Sequence, residues 1–62
     1  MNEYRDRVLN YRLTNGITQK EFAKRCGLST PTIIMIEKRD RYYPNVQTRS
    51  KLERVLSEGE KE

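Results

Sequence analysis

The chain has 62 residues, 34% hydrophobic and 35% charged, which is enough for one small core and leaves no room for the cleft between layers that most enzymes use. Its 13 basic and 9 acidic side chains give a net charge of +4, a balance that favours polyanionic partners, nucleic acid first among them. A single cysteine and no histidine exclude an internal disulfide and a Cys/His zinc site, so packing must hold the fold together and no cofactor or metal is expected.

From Asn2 to about Leu13, Tyr4, Val8 and Tyr11 recur at the spacing of one helical face, with Leu9 and Leu13 expected to widen it. Asn15-Gly16 stops this first helix, because both residues tolerate the left-handed conformation common at helix C-termini. Thr18 with Glu21 three residues later is a capping box that opens a second helix, whose buried side is Phe22 and Ala23. Cys26-Gly27-Leu28 breaks it after about two turns, the glycine supplying a tight turn. Ser29 is placed to cap a third helix that ends near Lys38. In it Pro31 falls in the first turn, where a missing N–H costs nothing, and Ile33 and Ile36 point inward. Lys38 to Val46 holds Pro44-Asn45 and two tyrosines without apolar period and reads as a loop. A fourth helix follows from about Gln47 to Leu56. The expected architecture is all-α with four helices, a fifth being left open, in a domain over residues 1–56 and a polar acidic tail over 57–62.

Charge is unevenly placed. Residues 1–52 carry 11 basic and 5 acidic side chains, whereas residues 53–62 carry 2 and 4. The densest basic cluster is Lys38, Arg39 and Arg41 around Asp40, next to Tyr42 and Tyr43. No run of ~18 apolar residues is present and the polar start lacks an apolar signal region, so a soluble, cytoplasmic chain without membrane association is expected. Cys26 reads as a buried small hydrophobe, since no histidine exists to activate it.

Two short helices joined by a glycine turn form a helix-turn-helix. The stretch from Gly16-Ile17-Thr18-Gln19 through Phe22-Ala23 and Cys26-Gly27-Leu28-Ser29, with Ile33, Ile36-Glu37 and Pro44, resembles the lambdoid phage repressor and Cro family, the XRE-like DNA-binding domains. The resemblance covers most of the chain. It departs in having Glu37-Lys38-Arg39 where the family commonly has Glu-x-Gly, and in carrying only six residues after the expected end of the fourth helix.

The resemblance implies a regulator of double-stranded DNA, of the kind encoded by phages, plasmids and other mobile elements, that acts as a repressor by occupying its operator. Its third helix would read the major groove, whose base edges carry a distinct donor and acceptor pattern. The family's base-facing positions fall on Thr30, Pro31 and Met35, with Ile34 beside them; a hydroxyl contact and apolar contacts with thymine methyls are expected in place of a bidentate pair. Gln19, Thr32, Lys38, Arg39, Arg41 and Tyr43, assisted by Asn45, are the expected phosphate contacts, which position without specifying sequence. Arg12 and Glu37 match an arginine and a glutamate that pair structurally in related domains. Two copies on a palindrome would set their reading helices ~34 Å apart, with a homodimer on DNA and little or none in solution. Against this stands a second function: the same scaffold docking a partner repressor or polymerase through Ile34 and Met35. An enzyme ranks last, for want of a histidine, a phosphate-binding glycine loop or a carboxylate pair.

Overall fold

A computed structural model describes residues 3–38 and 43–60, and it folds into four helices with no strand among the described residues: α1 (Glu3–Asn15), α2 (Gln19–Cys26), α3 (Thr30–Lys38) and α4 (Val46–Glu60). The first two helices each stop at a glycine in the left-handed region, Gly16 at φ 62° and Gly27 at φ 74°. At each, the amide of the next residue reaches back five positions: Ile17 N–H donates to the Arg12 carbonyl at 3.1 Å and Leu28 N–H to the Ala23 carbonyl at 2.9 Å. Gly27 N–H adds a bond to the Lys24 carbonyl at 3.2 Å, so the end of α2 is satisfied by its own backbone.

The helix starts are capped by the side chains expected to do so. Thr18 Oγ1 accepts from the Glu21 amide at 3.1 Å and Ser29 Oγ from the Thr32 amide at 3.3 Å. A third cap, at Asn45, was not anticipated: its Oδ1 accepts from the Thr48 amide at 2.9 Å and starts α4 at Val46, one residue ahead of the expected boundary.

The core is Tyr4 and Val8 of α1, Phe22, Ala23 and Cys26 of α2, Ile33 and Ile36 of α3, and Leu52, Val55 and Leu56 of α4, with Pro44 also enclosed. Tyr11 packs its ring against Phe22, centroid to centroid 5.2 Å. Leu13 corrects the expected face of α1. At 100° per residue it stands half a turn from Tyr4, so it points outward and is 81% exposed, while Leu9 is half-buried.

The fourth helix also corrects the reading. It ends at Glu60 and not at Leu56, taking in residues assigned to a tail. Ser57 Oγ donates back one turn to Glu53 at 3.2 Å, and Gly59 passes so close to Tyr11 that a β-carbon there would lie 2.4 Å from the ring. The missing side chain lets the last turn of α4 settle on α1.

Candidate nucleic-acid interface

Helix α3 is apolar enough to bury on all sides, yet only Ile33 and Ile36 are enclosed. The outward positions are Pro31, Ile34, Met35 and Lys38, with Thr30 half-buried at the first turn. The structure therefore gathers the four base-facing candidates Thr30, Pro31, Ile34 and Met35 on one stripe, Ile34 being 38% and Met35 36% exposed. Lys38 continues the stripe at its C-terminal end, so a cation follows the apolar stretch directly.

What holds α3 in place is a polar knot centred on Glu37. Arg12 of α1 donates through one Nη to both Glu37 carboxylate oxygens at 2.8 Å, and Gln19, the first residue of α2, donates its Nε2 to the same carboxylate at 2.8 Å. Arg5 Nε adds a 3.0 Å bond to the Glu37 carbonyl. Glu37 and Arg12 are largely shielded from water, with side-chain exposures of 9% and 21%, which makes this pair costlier to break from one side than a surface pair. One short region of α3 is thus tied to both preceding helices. A rigid element is what a groove-reading helix requires, because base contacts tolerate little misplacement.

The expected phosphate contacts are placed as follows. Gln19 is half-buried with an amide hydrogen directed at Glu37, so one side chain both fixes α3 and stands at the first turn of α2. Thr32 is half-buried and its hydroxyl shares a 2.8 Å hydrogen bond with Ser29. Tyr43 is 60% exposed; its ring lies 6.1 Å from that of Tyr4 and carries the Arg49 guanidinium 4.7 Å above it. Arg39 and Arg41 lie outside the described residues. Asn45 is exposed, but its oxygen is committed to the α4 cap.

Several polar groups had no signal in the sequence. Arg7 grips Glu53 with two bonds of 2.6 and 3.0 Å, and the Tyr4 hydroxyl donates to the same carboxylate at 2.8 Å. The partners are 46 and 49 residues apart, and no local pattern announces such a pairing. These bonds, Arg7 first and Tyr4 second, hold the Glu53 carboxyl down at about 2. The Tyr4 hydroxyl is pushed up by burial and by its bond to Glu53. Arg49 bonds the Pro44 carbonyl at 3.2 Å while stacking on Tyr43, a local arrangement that its five-residue separation from Pro44 could have suggested.

Elsewhere the chemistry is sparse. Burial pushes the Cys26 thiol up to about 11, so it stays protonated and unreactive at neutral pH. Among the described residues no group of three or more His, Cys, Asp or Glu side chains is arranged to hold a metal, and no helix is long and apolar enough to cross a membrane. A cavity of about 40 Å³ between α1 and the end of α4, lined by Arg7, Asn10, Tyr11, Thr14, Asn15 and Gly59, has room for little more than a water molecule.

Comparison with known proteins agrees with this geometry. A family model described as helix-turn-helix matches residues 8–60. An uncharacterized HTH-type transcriptional regulator of Archaeoglobus fulgidus is 36% identical over 53 residues, covering 86% of this chain and 74% of that protein. No solved structure matches.

Proposed function

The chain belongs to the helix-turn-helix family, in its XRE-type branch, and from that membership we propose that it is a DNA-binding transcription regulator which reads the major groove with α3. The observation that carries this reading is the outward stripe Thr30, Pro31, Ile34 and Met35, on a helix pinned through Glu37 to α1 and α2. Thr30 offers a hydroxyl to a base edge. Pro31, Ile34 and Met35 offer apolar surface matched to thymine methyl groups.

Around this head, Gln19, Thr32, Lys38, Arg39, Arg41 and Tyr43 would meet phosphates and fix register. In this proposal binding is the whole mechanism: the protein represses by covering an operator, works inside the cell where the DNA is, and needs neither cofactor nor catalytic group. Two copies on a palindrome would raise affinity beyond what one small contact supplies, and a phage, plasmid or other mobile element is the proposed genetic setting. The exposure of Ile34 and Met35 also favours a second reading, in which the same stripe docks a protein partner.

The two roles assigned to α3 separate experimentally. Met35→Ala is expected to change the preferred base at one half-site position by ~1 kcal/mol, whereas Lys38→Ala weakens all duplexes alike. Binding of a set of single-base variant duplexes by each protein checks this. Uniform weakening by Met35→Ala with a base-specific effect of Lys38→Ala would reverse the orientation of the helix in the groove.

A further inference from the structure

The α4 helix buries Leu52, Val55 and Leu56, and in that capacity it is only a support for the helix-turn-helix. The flank of that buried face carries two exposed cations that converge on the turn between α2 and α3. Lys51 Nζ lies 3.5 Å from the Gly27 carbonyl oxygen and an Arg54 Nη lies 3.5 Å from that of Cys26. Arg25, exposed in the last turn of α2, donates instead to the Tyr11 hydroxyl of α1 at 3.1 Å.

The Ala23 and Lys24 carbonyls at the end of α2 accept backbone N–H groups, and the α4 cations reach the Cys26 and Gly27 carbonyls that follow. The two contacts from α4 are longer than the usual range for N–H···O bonds, and an ammonium with three donors or a guanidinium with five keeps most of its capacity for another acceptor. Neither Lys51 nor Arg54 forms an ion pair among the described residues. Glu53, between them in sequence, is turned toward Arg7, Tyr4 and Ser57, and Glu58 lies one turn beyond Arg54 without bonding it.

We propose that Lys51 and Arg54 form a phosphate clamp of their own, on the backbone ridge beside the first turn of α3. This inference rests on the DNA-binding reading given above. Gly27 precedes Thr30 by three residues, at most about 11 Å of chain. A helix with its side chains is ~10–12 Å across and fills a major groove ~12 Å wide. Cations held beside Gly27 therefore stand at the wall of the groove when Thr30 and Pro31 enter it. The clamp grips the duplex at the N-terminal end of α3, opposite Lys38 at the other end, so the reading helix is fixed at both ends. The contacts are to phosphate and are independent of base sequence.

The test is the salt dependence of binding to a mixed-sequence duplex of ~20 base pairs, by fluorescence anisotropy across ~0.05–0.2 M KCl. The wild-type chain is compared with Lys51→Gln/Arg54→Gln and with the charge-conserving Lys51→Arg/Arg54→Lys. Loss of two phosphate contacts at ~0.9 each lowers the slope of log K against log salt by about 2 in the glutamine pair and weakens binding about tenfold or more at ~0.1 M salt. The charge-conserving pair keeps both properties. Thermal melting establishes that the glutamine pair is folded; should it not fold, Lys51→Gln alone is expected to lower the slope by about 1. A folded glutamine variant with the wild-type slope overturns the clamp and leaves the DNA-binding reading intact. A wild-type chain without salt-dependent duplex binding overturns both.

Discussion

Glu37→Ala is expected to cost ~3–5 kcal/mol of folding stability, because it leaves the shielded Arg12 guanidinium without its counter-charge and Gln19 without its acceptor. The Arg12 Nε is already enclosed without a hydrogen-bond partner, so this site has no spare solvation to absorb a further loss. At ~0.05–0.15 kcal/mol per residue a chain of this length holds only ~3–9 kcal/mol in all. The variant should therefore be substantially unfolded at 37 °C, with a urea midpoint far below that of the wild type. Glu37→Gln keeps an acceptor oxygen for the partners but still removes the counter-charge, so it should recover only the hydrogen-bond part of the loss, ~1 kcal/mol. Replacing Arg12 and Glu37 together by Met and Leu should recover much of the loss, since the cost lies mainly in stranding one charge. A wild-type urea midpoint for Glu37→Ala would mean that the knot contributes nothing and that α3 is held by Ile33 and Ile36 alone.

Acid should loosen the other polar tie, between α1 and α4. With its carboxyl held at about 2 by Arg7 and Tyr4, Glu53 binds protons less readily when folded than when unfolded. A depressed carboxylate stabilises the fold above its ordinary value of about 4.5, and that contribution is lost as the pH falls toward 2. Its side chain is 42% exposed, so solvent screening reduces the worth of the pair to ~1 kcal/mol. Glu53→Gln should accordingly be less stable than wild type near pH 7 and nearly equal to it near pH 2. Urea midpoints measured from pH 7 to pH 2 check this. A difference that stays constant across the range would assign the loss to packing and not to charge.

Much of the fold was legible because its signals are local. Gly16 and Gly27 each stop a helix within a residue of an apolar face, and Thr18 and Ser29 cap the helices that follow. Ile33 and Ile36, three apart, could share only one inward face, which left Ile34 and Met35 outside. Where the reading failed, two effects competed. Leu13 is apolar, but its angular position on α1 and not its hydrophobicity decides where it points. The end of α4 looked like a tail because Gly59 lowers helix propensity and a run of acids opposes the helix dipole at a C-terminus. Packing of Gly59 against Tyr11 overrides that preference, and the sequence separation of 48 residues hides it.

The candidate site divides the same way. The stripe on α3 follows from helical periodicity and was open to inspection. The roles of Arg7 and Glu53 depend on which helices cross, and one-dimensional patterning carries no information about crossings. Lys51 and Arg54 illustrate the point: in sequence they are two more charges on an amphipathic helix, and only the fold brings them to the Gly27 turn.

The measurement that tests the central claim most directly is selection of bound duplexes from a random double-stranded pool at ~0.1 M salt, followed by sequencing of the survivors. Groove reading by the α3 stripe predicts enrichment of a palindrome whose half-sites lie about one helical turn apart, ~34 Å centre to centre. Recovery of the pool with its starting base frequencies would contradict sequence-specific reading and leave the exposed Ile34 and Met35 as a protein-docking surface.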